Sequence, residues 1–306
     1  MGDYLSVPDK NKHSEEGKDH RIAFGATTMQ GWRKTQEDAH IARLDIGDGN
    51  SLFAVFDGHG GDQVAKYAEK TMVQELLKLQ SYKDKDYKKS LEEVFLKIDE
   101  LMLQHIRQNG SSGRSRFDDY SADPNDLSES GCTSNVILIT KDKIYCANAG
   151  DSRAVMCVFG SGPETVELSH DHKPDNETEK QRIVNADGFV QMGRTNGVIS
   201  LSRALGDFDY KKKADFPPEK QATTAFPDVS EIDLTENCQF IVQACDGIWD
   251  CLTSPEAVDK FGKMLEKKNM SEREIVESVL DEICAPDTMN GVGCDNMTCI
   301  LINFKK

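Results

Sequence analysis

Four aspartates stand at the ends of strongly apolar runs. Asp57 follows "LFAVF" and precedes Gly58, and Asp246 follows "FIVQAC" and precedes Gly247. Asp151 follows "YCANAG", while Asp295 stands just ahead of "MTCILINF". One Asp-Gly at a strand end is ordinary turn chemistry. Four carboxylates at the rims of apolar strands are a different case if two sheets bring those rims together. Anions crowded into one spot cannot all stay ionised without compensation. A hard divalent cation supplies it and prefers oxygen ligands. Glycine beside Asp57 and Asp246 also lets a backbone carbonyl approach an ion closely. The twelve-residue calcium-loop pattern and the Walker pattern G-x-x-x-x-G-K-[ST] are both absent.

A further acidic pair, Glu37 and Asp38, lies in "GWRKTQEDAH", with Arg33 four residues before Glu37. Arg33 has two readings at this stage: a solvated strand charge, or, beside divalent metals, a planar fork for a phosphate. His59, in "DGHGG", reads without further context as a histidine capping a turn.

The elements that must position these residues are legible in outline. The chain has 306 residues, 38% of them hydrophobic, enough for one large domain or two small ones. Residues 1–20 are polar and mixed in charge and read as a flexible arm. Strands are expected from "IAFGATTM", "AHIARL" and "LFAVF", then "CTSNVILIT", "KIYCANAGD", "RAVMCVF" and "TVEL". Apolar residues at helical spacing over 62–79 and 90–106 predict two successive amphipathic helices. Residues 109–131 are rich in Ser, Gly and Asp and read as a long mobile surface loop. A charged helix is expected at about 175–187, and an irregular flap over 207–230. Ser254-Pro255 offers an N-cap with proline at the first helical position, and Ser271 with Glu274 a capping box. Strands and helices are grouped rather than alternating, which favours packed antiparallel sheets covered by helices.

Composition removes several function classes. Against 53 acidic residues there are 37 basic ones, a formal charge of −16 that repels nucleic acid and anionic lipid. An anionic substrate would therefore need positive charge supplied locally, by arginine or metal. None of the nine cysteines makes a C-x-x-C pair, and most lie in apolar runs, so they read as buried thiols in a reducing cytosol. No apolar stretch reaches the roughly 18 residues of a membrane span. The first twenty residues lack the apolar core of a secretory signal.

Eight segments, "MQGWRKTQEDAH", "FAVFDGHGG", "GCTSNVILI", "NAGDSRAVM", "DHKPDNETEKQRI", "SLSRALGDFDYK", "ACDGIWD" and "GCDNMT", occur in order. Together they resemble the protein phosphatase 2C family of metal-dependent serine/threonine phosphatases, over about residues 20–304. The resemblance implies a four-layer αββα sandwich: an α+β fold with two central antiparallel sheets, its single catalytic domain spanning residues 21–306. It implies that Asp57 bridges two Mg²⁺ or Mn²⁺ ions. Gly58 would ligate one ion through its carbonyl oxygen, and Glu37 would contact that side through water. Asp246 and Asp295 would hold the other ion, Asp151 with Asp246 a weaker third, with Asp38 and Asp250 behind them. Arg33 would clamp the substrate phosphate, and His59 would protonate the leaving alkoxide. The implied reaction is in-line attack by a metal-bridging hydroxide on phosphoserine or phosphothreonine in proteins, without a phosphoenzyme.

Two departures stand out: a 109–131 loop longer than a minimal core, and Cys132 where serine is also common. A cysteine-dependent phosphatase would need Cys-x₅-Arg, which no cysteine supplies; Cys146 comes nearest, with Arg153 one residue too far along. A non-catalytic acidic binding module would be announced by loss of Asp57, Asp246 or Asp295, and all three are present. The start "MGDYLS" fits the myristoylation pattern M-G-x-x-x-[ST] at Gly2. A single acyl chain gives only marginal membrane binding, and no polybasic or palmitoylation signal accompanies it. The expectation is a monomeric cytoplasmic phosphatase, in part peripherally membrane-associated, acting on phosphoproteins and not on nucleic acid.

Overall fold

A computed structural model describes residues 4–109 and 127–305. From the N-terminal side the order is β1 (Tyr4–Lys18), β2 (Ile22–Arg33), β3 (Ala39–Arg43), β4 (Ser51–Phe56) and β5 (Gly58–His59). Helices α1 (Gln63–Lys78), α2 (Gln80–Lys83) and α3 (Tyr87–Asn109) follow. Next come β6 (Gly131–Cys132), β7 (Ser134–Ile139), β8 (Lys143–Ala149), β9 (Arg153–Phe159), β10 (Pro163–Glu167) and α4 (Glu177–Asn185). Short β11 (Val190–Gln191), β12 (Arg194–Thr195) and β13 (Leu205–Gly206) lead to β14 (Asp228–Asp233) and β15 (Cys238–Ala244). Helices α5 (Asp246–Trp249), α6 (Ser254–Lys267) and α7 (Glu272–Ile283) precede β16 (Met297–Phe304).

Two antiparallel sheets carry the molecule, one in the order β1-β2-β16-β15-β9-β10 and one in the order β14-β8-β7-β4-β3. Side chains alternate between the two faces of a strand. In β4, Phe53 and Val55 enter the core between the sheets, whereas Leu52, Ala54 and Phe56 pack under α1 and α3. In β16, Ile300 and Ile302 face the other sheet, and Met297, Cys299 and Leu301 face α6 and α7. Both faces of these strands are covered, so their sequences read as continuous apolar runs. Phe24 of β2 meets Phe53 of β4 edge to face across the gap, with ring centroids 5.5 Å apart. Burying each such side chain contributes roughly 1.5–3 kcal/mol. The result is the expected αββα sandwich.

Two local expectations are corrected. The flexible arm is instead β1, an edge strand paired antiparallel to β2 with register irregularities around Asp9. Its polar composition suits an edge: Lys12 meets Asp281 at 2.7 Å, Glu15 meets His40 at 3.1 Å and Glu16 meets Arg273 at 3.3 Å. Helix α6 is capped by Thr253, whose backbone is extended and whose side chain completes a capping box with Glu256. Ser254 lies one residue inside the helix, and its hydroxyl accepts a hydrogen bond from Arg153 at 3.1 Å. The Ser271–Glu274 box forms as expected. Residues 207–227 are irregular as expected, holding only two short 3₁₀ turns, and residues 194 and 198–201 line the cleft described below. Most of the 109–131 segment (residues 110–126) lies outside the described residues.

Candidate metal centre and catalytic cleft

The apolar strands end where the two sheets open into a cavity of about 450 Å³. Asp57 leaves β4, Asp151 follows β8, Asp246 opens α5 and Asp295 precedes β16, so core packing delivers all four carboxylates to this rim. Asp57, Asp151 and Asp246 each offer an oxygen, and these atoms lie within 4.8 Å of one another. Glu37 enters from the β2–β3 connection. One of its oxygens accepts the Gly61 N–H at 3.1 Å and the other the Thr35 hydroxyl at 2.7 Å. At Gly58 a Cβ would stand 2.2 Å from the Glu37 carbonyl oxygen, so only glycine lets β5 pass this close.

The charges here are poorly balanced. Arg33 meets Asp295 at 2.5 Å, and Lys173 pairs with Asp151. Burial, then the charges of Asp246, Asp38, Asp151 and Asp295, push the Asp57 carboxyl well above the usual range. Burial and the charges of Asp151, Asp295 and Asp250 push Asp246 up to about 8. Asp38 is pushed up to about 7 by burial, against hydrogen bonds from Thr298 and Cys245 and with repulsion from Asp295 and Glu37. Its Oδ2 accepts the Thr298 hydroxyl at 2.6 Å, while its buried Oδ1 has no hydrogen-bond partner. Exposed Asp250 is also pushed up, by its partial desolvation and by Asp151 and Asp295, with Lys173 opposing.

A divalent cation would resolve this frustration, and the donor set fits a hard one. Carboxylate oxygens dominate it. Cys245, which shares a cluster with Asp38 and Asp57, is held as a neutral thiol by burial and by those carboxylates. A neutral thiol is a poor metal ligand, so a soft-metal reading has little support.

His59 lies on the same wall. Its Nε2 is 2.9 Å from both oxygens of Asp207. Burial works against the charged imidazole, but the Asp207 hydrogen bond and charge outweigh it, so its pKa is raised. At Gly131 a Cβ would stand 2.6 Å from both the Asp207 carboxyl carbon and His59 Nε2, so this glycine admits the pair. Arg33 lines the cavity with its side chain 45% exposed, which leaves guanidinium surface open beside Asp295.

Of the site residues singled out in the described chain, Arg33, Glu37, Asp57, Gly58, His59, Asp151, Asp246 and Asp295 line the cavity; Asp38, which is buried, and Asp250, which is exposed, are outside its lining. Gly2 lies outside the described residues. Sequence reasoning passed over Asp207, Thr133, Asn296 and Lys173. Thr133 accepts the Asp57 N–H at 3.2 Å and shares a 2.7 Å bond with Ser152. Asn296 ties the Gln30 and Thr35 carbonyls at 2.8 and 2.9 Å and accepts the Glu37 N–H at 3.0 Å. All four lie inside or beside the quoted segments, where proximity to a candidate ligand was the available signal.

Residues 22–292 match the family model described as protein phosphatase 2C. The chain is 44% identical over its full length to the full length of "Probable protein phosphatase 2C 3" of Paramecium tetraurelia. It is 42% identical to "Probable protein phosphatase 2C 21" of Arabidopsis thaliana, covering 100% of this chain and 93% of that one. Its fold is similar to the crystal structure of a serine-threonine phosphatase 2C from Toxoplasma gondii. That match has a TM-score of 0.79, at 19% identity, covering 99% and 98% of the two chains.

Proposed function

The chain belongs to the protein phosphatase 2C family of metal-dependent protein serine/threonine phosphatases, and from that premise we propose that its cleft hydrolyses phosphoserine and phosphothreonine in proteins with two Mg²⁺ or Mn²⁺ ions and no phosphoenzyme. The observation that carries this reading is the convergence of Asp57, Asp151 and Asp246 without enough cationic partners. Asp57 would contribute to both ions. The Gly58 carbonyl and Glu37 would serve one, Asp246 and Asp295 the other, and Asp151 with Asp246 a weaker third, backed by Asp38 and Asp250. Bound there, such ions acidify water to a nucleophile near neutral pH and neutralise phosphoryl charge.

The chain's own groups do the rest. Arg33 offers a planar fork to two phosphate oxygens and stabilises the charge that builds on them. Protonated His59 keeps Nε2–H on Asp207 and has Nδ1–H left to give to the departing serine or threonine alkoxide. Asp207 favours that protonated form and fixes the ring. Phosphoproteins are the substrates on this reading, and the monomer is the working unit. Gly2 would carry a myristoyl chain that holds part of the population loosely at a membrane surface. No helix among the described residues is long and apolar enough to cross a membrane.

The test is hydrolysis of phosphothreonine peptide and p-nitrophenyl phosphate after chelation, with Mg²⁺ or Mn²⁺ added back. Activity should vanish and return. His59→Ala should lose on the order of 10²–10⁴-fold on the alkyl ester and far less on the aryl ester, whose leaving group needs no proton. Full activity in excess chelator would refute the metal assignment; equal losses on both esters would make His59 structural.

A further inference from the structure

Asp99 of α3 is buried, 8% exposed, and far in sequence from every residue assigned a role above. Its Oδ1 accepts the Gly206 N–H at 2.8 Å, and its Oδ2 accepts from Lys211 Nζ at 2.7 Å. Lys211 Nζ also donates to the Ala204 carbonyl at 2.8 Å and lies 5.5 Å from the Phe208 ring centroid. One ammonium and one carboxylate therefore gather the backbone and side chains of 204–211 into a turn. Asp207 stands at its middle in the left-handed region, φ 52°. That conformation is unfavourable for an L-residue, so something must hold it.

The turn is tied to the catalytic wall through β6. Leu205 and Gly206 pair with Cys132 and Gly131, and the other side of β6 pairs with Gly58 and His59. The Asp207 N–H donates to the Ser130 carbonyl at 3.3 Å. Stability alone is a poor reason for such a pair. Desolvating two charges largely cancels their attraction, and well-packed apolar residues often do as well. What an apolar pair could not do is accept the Gly206 N–H and bind the Ala204 carbonyl on either side of Asp207.

We propose that Asp99 and Lys211 are positioning residues for His59, holding the Asp207 turn so that its carboxylate meets the imidazole. The proposal rests on the reading of His59 as proton donor, and its test separates the two.

Lys211→Met and the double variant Asp99→Asn/Lys211→Met are compared in the wild-type and His59→Ala backgrounds. The double variant removes both charges but keeps an acceptor for Gly206. Initial rates are read on phosphothreonine peptide and on p-nitrophenyl phosphate, in saturating Mn²⁺. The expected result is a loss of ~10-fold or more on the alkyl ester, within the range open to general-acid help. The aryl ester should change by less than about twofold, and neither variant should cost anything further once His59 is alanine. Equal losses on both esters, or the same loss without His59, would overturn the proposal. So would failure of the double variant to fold, which would assign the pair to stability. If His59→Ala itself does not distinguish the esters, the donor reading falls. The coupling between position 211 and His59 then still decides whether the turn positions that ring.

Discussion

Two carboxylate clusters lie on either side of His172, one through its bond to Asp228 and one through Gly150, the neighbour of Asp151, and they are opposite in kind. Glu179 of α4 accepts from Arg182 and Arg203 at 2.7 Å each and from the Ser202 hydroxyl at 2.7 Å. Burial opposes its charge, but the Arg203 hydrogen bond and the two guanidinium charges win, holding it down at about 2. Asp228, bonded to His172 at 3.1 Å and Arg203 at 2.7 Å, is likewise held below the usual range. In the cleft, Asp57 and Asp246 are partly buried among other carboxylates with too few cations and are pushed up. Desolvation opposes the charge of Glu179 as it does that of Asp57 and Asp246. The difference is whether the chain supplies the countercharge itself. Where it does, the carboxylate is part of the scaffold; where it does not, the carboxylates are left in the state that the proposed cations would complete.

The largest effect that would sharpen this contrast is Asp57→Asn. Loss of several kcal/mol of charge stabilisation should lower kcat/KM by roughly 10³-fold or more. In excess chelator the same variant should melt above wild type, because a repelling carboxylate is gone. A lower Tm would mean that Asp57 is paired within the chain. Glu179→Ala should do the reverse. It leaves Arg182 without its carboxylate and Arg203 with Asp228 alone, and should cost about 3 kcal/mol in urea unfolding, while the folded fraction binds Mn²⁺ as wild type does.

Acid tests the scaffold cluster separately. Glu179 has a folded pKa of about 2 against an ordinary 4.5. A lowered carboxylate contributes stability that is fully present above the ordinary value and is lost as pH falls through the folded one. On the order of 3 kcal/mol should therefore disappear between about pH 4.5 and 2. Glu179→Gln should flatten that part of the stability–pH curve. An unchanged curve would break the comparison. The smallest effect is expected at Lys173, the cleft lysine on Asp151. Lys173→Met frees that carboxylate and should tighten Mn²⁺ binding roughly two- to fivefold, since the lysine, 44% exposed, is screened by solvent and such a pair is worth about 1 kcal/mol or less. Weaker binding would show that Lys173 organises the site instead.

Much of this was legible in the chain. The runs around Phe53 and Ile300 are apolar on consecutive residues because both faces of their strands are covered, and Asp57 and Asp295 at their edges could be read from that pattern. β1 was not, because an edge strand shows its polar side chains to solvent and loses the alternating signature. Thr253 was missed as a cap for a local reason: Ser254 beside it has the same chemistry, and only backbone geometry and the Arg153 contact separate them. Asp207 could not be read as the partner of His59. The two are 148 residues apart and meet only through the pairing of β6 with β5 and β13.

The central claim is that the cleft carboxylates are completed by hard divalent cations centred on Asp57. Calorimetric titration of Mn²⁺ into chelator-stripped wild type, Asp57→Asn and Cys245→Ala tests it most directly. The account predicts at least two Mn²⁺ per wild-type molecule, the same for Cys245→Ala, and a loss of affinity at both sites in Asp57→Asn. Binding by Asp57→Asn that matches wild type in number and affinity would contradict it.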